Sequence, residues 1–204
     1  MHAAPMTGSV EDRLREACRT GDNAALADWA TTGRPGLLLL RDYLSGEWDP
    51  GPMDGHPRDL IDNLRAAVAA TAAAHPQEFL DVFGADRFLD SGYVLTGLGQ
   101  IDDPRATERL VRAAASRDNW NRMDAAIGLG RRPAPAATET LGRLLGDDEY
   151  LVRYHALASL ARIGDSSVLP LLRGWRPPSP YEAKLVEGTI AAILARSDEG
   201  RVTR

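Results

Sequence analysis

The sequence is short of cysteine and of long apolar runs. Cys18 is the only cysteine among 204 residues, which excludes an intrachain disulfide and a metal centre built from several cysteines. Apolar runs such as Leu37–Leu40 are far too short to span a bilayer. Residues 1–10 lack the apolar segment of a secretory signal. We therefore expect a soluble protein of a reducing cytoplasm.

Lysine and strong net charge are also scarce. Lys184 is the only lysine, and the arginine bias indicates a GC-rich, bacterial source. Residues 1–84 carry 7 arginines and 13 acidic residues, whereas residues 85–204 carry 17 basic and 16 acidic residues. Neither part has the basic excess typical of a nucleic-acid binder, so a nucleic-acid partner is disfavoured. Alanine is abundant and is the best helix former, which predicts an all-α protein.

A repeat of 31 residues runs through the C-terminal two-thirds of the chain. The tripeptides at 97–99, 128–130 and 159–161 share one register, as do the basic residues Arg122, Arg153 and Lys184. Many matches at one period indicate a repeat architecture, in which stacked units bury one continuous core. Further matches in register are Leu89, Trp120 and Leu151; Val94, Ala125 and Ala156; Pro104 and Pro135; and Leu110, Leu141 and Leu172.

Each repeat has the signals of two helices. The first helix carries apolar residues at helical spacing and is predicted to end near Gly164 in the third unit. The second helix begins with an N-cap acid, because Asp103 precedes Pro104 and Asp165 precedes Ser166. The middle unit has Ala134 at the cap position, so its second helix is expected to depend on the following proline and on packing.

The segment 148–165 resembles a short HEAT repeat of the phycobilisome-lyase type, with its acidic turn, Val152-Arg153, alanine-rich helix and Ile163-Gly164-Asp165. The resemblance covers roughly residues 85–196 and is weaker in the two earlier units. It implies an all-α, right-handed α-solenoid of antiparallel helical hairpins, a HEAT-like repeat protein.

Glycine and proline residues indicate the boundaries of the remaining segments. Residues 1–8 are expected to be disordered, 9–84 to form divergent helical repeats, 85–196 to form regular repeats and 197–204 to be a frayed tail. A Pro- and Gly-rich loop is predicted at 46–57, a length typical of functional or disordered loops. The predicted helices upstream of residue 85 span about 9–20, 23–31, 35–44, Leu60–Ala74 and Pro76–Phe83.

The arginines of the second helices are the first candidates for a partner-binding site. Arg112 and Arg143 are equivalent in the repeat and are predicted either to bind an anionic partner or, more simply, to pair with the acid four residues earlier. Arg105 and Arg109 have no obvious partner in sequence and are the stronger candidates. In the irregular loop, Trp48 is interpreted as an anchor for a partner or as a cover over the adjacent helix.

Other side chains are interpreted more simply. Tyr181 flanks the prolines of 177–180 and is a candidate groove residue, whereas Trp120 shares the register of two leucines and is predicted to lie in the core. Neither a nucleophile beside a histidine nor a paired-histidine metal motif is present in the sequence, so we expect no enzyme, no cofactor and no metal. Cys18 is interpreted as a small packed thiol.

The sequence thus favours a non-enzymatic scaffold, adaptor or neutralising module that binds another protein in the solenoid groove. The alternative is an enzyme on the same scaffold, for which HEAT-like DNA glycosylases are the relevant relatives. Those enzymes use a basic concave groove with aromatic and acidic residues, a pattern not matched here. Chromophore or cofactor modification, by analogy with phycobilisome lyases, is supported by the repeat type alone.

Overall fold

The structure is a computed structural model that describes residues 9, 11–13, 16, 32–47 and 57–202. The described residues form helices and no strands, which confirms the predicted all-α class. The chain divides into two compact units, Met1–Ile101 and Asp102–Arg204. The α-helices are α1 (Arg34–Leu44), α2 (Pro57–Ala74), α3 (Pro76–Val82), α4 (Gly92–Leu98), α5 (Pro104–Ala113), α6 (Asn119–Leu129), α7 (Pro135–Leu144), α8 (Tyr150–Ile163), α9 (Leu169–Gly174) and α10 (Pro180–Val202). Two short 3-10 helices lie at Asp86–Asp90 and Ser166–Val168.

In the described part of the N-terminal unit, α2 packs against α4 and α1 against α3. Its core is a phenylalanine cluster in which the ring centroids of Phe79 and Phe83 lie 4.8 Å apart. Phe88, from the first 3-10 helix, meets Phe83 edge to face at 5.3 Å. Gly97 makes this packing possible, because a Cβ there would lie 2.3 Å from Phe79 Cζ. These aromatic contacts replace the small-residue stacking of the regular repeats.

Glycines bound the first described helix at both ends. Gly33 precedes α1 with φ of 64°, and Gly46 follows it with φ of 70°. The amide of Gly46 donates to the Tyr43 carbonyl and the amide of Glu47 to the Asp42 carbonyl, at 3.1 and 2.8 Å. This is a Schellman ending, which requires a left-handed residue after the helix and so favours glycine. The helix predicted at 35–44 is confirmed.

The hairpin predicted upstream of residue 85 is present as α2 and α3. Pro76 opens α3, as predicted from its likeness to Pro104. The preceding helix begins at Pro57 and not at Leu60, so the irregular loop predicted at 46–57 is shorter at its C-terminal end. Proline is accommodated in the first helical turn, where its missing N–H is not needed. Of the helix predicted at 9–20, the described residues 11–13 and 16 are helical. Trp48 and the helix predicted at 23–31 lie outside the described residues.

The C-terminal unit has two layers of helices, as the repeat predicts. The first helices of successive repeats, α6, α8 and α10, pack side by side, and α5 packs beside α7. Contacts between α6 and α7, and between α8 and α7, join the layers. The core between them holds small and branched residues whose positions recur at the repeat spacing. Fully buried examples are Ala125, Leu129, Leu141, Ala156, Leu160 and Leu172.

The predicted caps are in place. The carboxylate of Asp103 accepts a hydrogen bond from the Arg105 amide at 2.8 Å, and that of Asp165 accepts one from the Ser167 amide at 2.8 Å. Ala134 makes no side-chain cap and α7 begins on Pro135, also as predicted. Local cap chemistry therefore fixes where the second helices begin.

Helix α8 ends before Gly164, as predicted; Gly164 has φ of −62°, and a Cβ there would lie 2.6 Å from the Leu160 carbonyl oxygen. Two details differ from the sequence prediction. The segment Asp86–Asp90, predicted as part of a regular repeat, forms a 3-10 helix before α4 begins, because Ser91 has an extended backbone. The last helix continues past residue 196 to Val202. Arg196 holds it by donating to the carbonyls of Ala161 and Gly164.

Within the described part of the chain, none of the helices combines the length and the apolar character that crossing a membrane requires.

Candidate functional site

The arginines that recur in the first helices are structural braces. Arg122 donates to the Asp147 carboxylate at 2.6 and 2.9 Å, and its Nη1 donates to the carbonyls of Ser116 and Arg117 at 3.0 and 3.1 Å. These contacts join the turn before α6 to the turn before α8. A guanidinium with this many acceptors is not available to a ligand.

The next repeat uses its arginine in the same way. Arg153 donates through Nε to Glu182 at 2.7 Å and through Nη1 to the carbonyls of Asp147 and Asp148, both at 2.8 Å. Arg153 and Glu182 are buried together. Ser179 also donates to the Glu182 carboxylate, at 2.8 Å. The exposed Lys184 occupies the same register but has no equivalent role in the described residues.

These ion pairs shift the pKa values of their carboxylates. The hydrogen bond from Arg153 lowers the pKa of Glu182, against a smaller effect of burial. Burial by itself raises the pKa of Asp147, but the hydrogen bonds from Arg122 and from the Glu149 amide outweigh it and the pKa is lowered. Both carboxylates are therefore ionised at neutral pH and serve the fold.

Two of the sequence-predicted binding residues are assigned other roles. Arg105 pairs with its own N-cap residue, since its Nε and Nη2 donate to the Asp103 carboxylate at 3.0 and 2.8 Å. Arg109 is only 4% exposed and lies within the C-terminal unit. Arg105 therefore has a partner, contrary to expectation, and the buried Arg109 is not available on the surface as expected of a binding residue. The contact between Arg105 and Asp103 was not predicted from the sequence because Asp103 precedes Arg105 by only two residues, at the N-cap of the same helix.

Arg112 and Arg143 are exposed, as a binding role requires. Among the ion pairs described in the structure, none joins Glu139 to Arg143, so the self-neutralised pair predicted there from i, i+4 spacing is not formed. Arg143 instead donates through Nη2 to the Thr140 hydroxyl at 2.9 Å. This contact holds the guanidinium along α7 and uses one of its five N–H donors.

Two neighbouring cavities lie along the second helices, and Arg143 lines both. The larger has a volume of about 700 Å³ and is enclosed by the start of α7 and by the segment 163–171. The smaller, of about 450 Å³, lies between the ends of α5 and α7 and includes Arg112. We call this pair of cavities the second-helix groove. Of the predicted binding residues, the structure brings together Arg112 and Arg143.

The larger cavity combines an apolar floor with charged walls. Leu171 is 46% exposed here and reaches α7, where a Cβ on Gly142 would lie 2.6 Å from Leu171 Cδ2. Glu139, one turn before Arg143 on α7, and Asp165 line the same cavity. The hydrogen bonds from the Ser167 hydroxyl and amide lower the pKa of Asp165, so this wall stays anionic. Sequence reasoning missed Leu171, although a leucine beside the aligned Leu172 at a repeat terminus was a usable signal.

Of the predictions for Tyr181 and Trp120, the structure agrees with the first and contradicts the second. Tyr181 is 57% exposed, in agreement with its prediction as an accessible residue. Trp120 is also 57% exposed, so its predicted core position is wrong. Its register partner Leu151 is exposed too, and this register position therefore lies at the edge of the stack. Both occupy the first turn of a helix, where side chains project back beyond the helix end.

Metal chemistry has no support in the described residues, since no group of three or more His, Cys, Asp or Glu side chains is placed to hold an ion. His155 lies half-buried on α8, and burial lowers its pKa below the ordinary value, against a smaller opposite effect of Asp124. Its ring meets that of Tyr154 edge to face at 5.1 Å. His155 is therefore a neutral packing residue near pH 7.

Comparison with known proteins gives a match to a family model and a match to a solved structure. Residues 92–149 and 116–182 match the family model for HEAT repeats. No curated protein matches the chain. Among solved structures, the crystal structure of an engineered protein is similar, with a TM-score of 0.52, 18% identity and coverage of 93% of each chain. At that identity the likeness concerns the fold alone. Together with the stacked hairpins, these findings confirm the predicted HEAT-like repeats, over residues 92–182.

Proposed function

We propose that this protein is a non-enzymatic binding module that holds a segment of a partner protein in the second-helix groove. HEAT repeats generally serve as scaffolds for protein interactions. The observation that carries the proposal is the position of Arg143, exposed between two cavities that are open along the same helices. The lone cysteine and the arginine-rich composition support a cytoplasmic, bacterial setting.

The chemistry of the groove defines its occupant. A cavity of about 700 Å³ accepts one large side chain together with its flanking backbone. Leu171 offers an apolar contact, while Arg112 and Arg143 attract a carboxylate at one end. Glu139 and Asp165 attract a base at the other end. The groove therefore fits a protein segment with a central apolar side chain, an acid towards α5 and a base towards α9.

The same charges argue against a nucleic-acid partner. Glu139 and Asp165, two exposed carboxylates in the groove wall, would repel phosphates. This supports a binding module over the DNA glycosylase alternative. Saturable binding to duplex DNA that weakens steeply with salt would contradict this choice.

A displayed random-peptide library, panned on the wild-type protein, tests the proposal. Enriched peptides are synthesised, and their affinities are measured by fluorescence anisotropy for the wild type, Arg143→Glu and Leu171→Asp. We expect each substitution to weaken binding by roughly 10-fold or more, because both act at the centre of the contact. Enriched peptides should carry an apolar residue between an acid and a base.

Matched controls use surfaces away from the groove. Arg162→Glu changes an exposed arginine on α8, and Leu194→Asp changes an exposed leucine on α10; neither residue lines a cavity of the groove. Both controls should bind the selected peptides like the wild type. Failure to enrich any peptide, or equal losses in controls and groove variants, would overturn the proposal.

A further inference from the structure

Exposed large apolar side chains concentrate at one edge of the C-terminal unit. Trp120, Tyr150, Leu151 and Tyr181 are all exposed, and they occupy the first turns of α6, α8 and α10. These helices pack side by side. We call this row of four residues the aromatic edge. It is distinct from the second-helix groove, which contains none of them.

The repeat itself creates the row. Tyr150 and Tyr181 occupy one register position, and Trp120 and Leu151 occupy the next one along the chain. Side chains in a first helical turn project towards and beyond the N-terminal end of the helix. The stack of first helices therefore presents these side chains outward together. An apolar row of this kind on a folded unit is typical of an interaction surface.

The tyrosines hold one another in place. The ring centroids of Tyr150 and Tyr181 lie 6.3 Å apart, and those of Tyr150 and Tyr154 lie 6.1 Å apart. Tyr154 is half-buried and packs against His155, which anchors the group to α8. Rings that are already ordered lose little conformational entropy when a partner binds. The tyrosines of the edge thus form a preordered platform, beside which Trp120 and Leu151 are exposed.

Exposed acidic side chains in the middle of this platform favour a basic group of a partner. Arg122 and Arg153 form ion pairs with Asp147 and Glu182, which neutralise their positive charges. Asp118, Asp148 and Glu149, in the turns before α6 and α8, are exposed and add negative charge beside Trp120 and Tyr150. The exposed bases lie towards the two ends of the row: Arg117 is next to Asp118, and Arg176 and Lys184 precede and follow Tyr181. The unbalanced negative charge is therefore that of Asp148 and Glu149, beside Tyr150 on the middle helix, α8.

We propose that the aromatic edge binds an arginine-rich segment of a partner protein. Guanidinium groups stack on the faces of Trp120 and Tyr181 while their N–H groups reach Asp148 and Glu149. Arginine suits this surface better than lysine, because its planar group stacks and donates hydrogen bonds at the same time. The inference does not depend on the second-helix groove, and either surface can bind without the other.

A fluorescein-labelled peptide of alternating arginine and leucine, with glycine spacers, is the probe. Its binding to the full-length protein is followed by fluorescence anisotropy, in parallel with versions that carry lysine or glutamate in place of arginine. We expect saturable binding of the arginine peptide, weaker binding of the lysine peptide and none of the glutamate peptide. Trp120→Ala and Tyr181→Ala should each weaken the arginine peptide by roughly 10-fold, as hot-spot aromatics do.

Charge and apolar controls separate specific binding from general attraction. The double variant Asp148→Asn, Glu149→Gln should weaken binding and reduce its salt dependence, whereas Glu108→Gln, on an exposed face of α5, should do neither. Leu194→Ala should leave the affinity unchanged. Every variant is first shown by circular dichroism to melt like the wild type, so that a loss of binding is not a loss of fold.

Three outcomes would overturn the proposal. The first is no saturable binding of the arginine peptide. The second is equal affinity in the wild type and in the Trp120→Ala and Tyr181→Ala variants. The third is self-association of the wild type that Trp120→Ala abolishes in sedimentation velocity, since a second copy of the chain would then be the occupant of the edge.

Discussion

The carboxylate of Asp147 accepts two hydrogen bonds from the guanidinium of Arg122, at 2.6 and 2.9 Å, although 25 residues separate them. The carbonyl of the same aspartate accepts from Arg153, the equivalent arginine of the next repeat. One residue in an inter-repeat turn therefore contacts two successive first helices. This links neighbouring repeats by polar contacts that are independent of the apolar core.

Arg122→Ala is expected to lower the free energy of unfolding by about 1–3 kcal/mol, because it removes charge-assisted hydrogen bonds and leaves Asp147 largely buried without its partner. Urea denaturation followed by circular dichroism measures the change. Arg162→Ala, which removes an exposed arginine from α8, should change stability by less than about 0.5 kcal/mol. Equal losses in the two variants would show that the brace contributes nothing specific.

The buried pair Arg153–Glu182 predicts loss of stability in acid. Because the folded-state pKa of Glu182 lies below its unfolded value, its contribution is fully present above the unfolded value and is lost as pH falls through the folded pKa. Asp147, with its lowered pKa, acts in the same direction. The free energy of unfolding should therefore fall as pH drops below about 5, near the unfolded carboxyl values.

The variant Glu182→Gln should flatten this pH dependence while lowering stability at pH 7. The cost at neutral pH is expected to reach about 3 kcal/mol, since Arg153 stays buried without a counter-charge. Urea midpoints between pH 7 and the acid limb give both quantities. Glu187→Gln, at an exposed position of the same helix, is the control and should follow the wild-type curve. An unchanged slope in Glu182→Gln would refute the assignment.

Gly130 and Gly188 form a matched pair of glycine-to-alanine tests. A Cβ on Gly130 would lie 2.1 Å from Ser159 Oγ and 2.9 Å from Ser159 Cα, so Gly130→Ala forces α6 and α8 apart. We expect a loss of about 1–3 kcal/mol, the usual cost of overpacking. A Cβ on Gly188 meets nothing within 4 Å. In the interior of α10, Gly188→Ala should therefore stabilise the protein by about 0.5–1 kcal/mol.

Melting temperatures of the two glycine variants, measured under identical conditions, should shift in opposite directions. A stabilising effect of Gly130→Ala would contradict the close approach of α6 to Ser159. The hydroxyl of Ser159 donates to the Ala126 carbonyl at 2.8 Å, so Ser159→Gly should partly relieve the clash at the cost of that bond.

Trp120→Ala should be tolerated by the fold, because the side chain is exposed. We expect a change in unfolding free energy within about 0.5 kcal/mol, as for other surface positions. Leu160→Ala, at a fully buried position of α8, should cost about 2–5 kcal/mol. Chemical denaturation of both variants checks the assignment. A loss for Trp120→Ala comparable to that for Leu160→Ala would restore the core position first predicted for this tryptophan.

Much of the fold follows from local sequence signals. The caps at Asp103 and Asp165, the opening prolines and the helix ending before Gly46 are set by residues within a few positions of each other. The 31-residue register adds the stacking, because only neighbouring repeats can cover the apolar stripe that each hairpin leaves open. The structure confirms these features for the described residues.

The binding residues were less predictable from sequence. Arg105 was expected to face a partner but folds back onto Asp103, and Trp120 was expected to be buried but lies at a helix start. The repeat register shows that two residues occupy equivalent positions. It does not show whether that position faces the core or the edge of the stack. The direction of a side chain depends on its helical turn and on its neighbours across the stack.

The sequence by itself determined the helical hairpin, its period and its caps, because these result from backbone hydrogen bonding and apolar spacing within one repeat. Only the tertiary structure decided which charged side chains form ion pairs and which remain exposed. Arg122 is neutralised by a residue of the following repeat, whereas Arg143 is left exposed between two cavities. The physical reason is that an ion pair depends on distance in space, and stacking brings together residues that sequence places 25 or more positions apart.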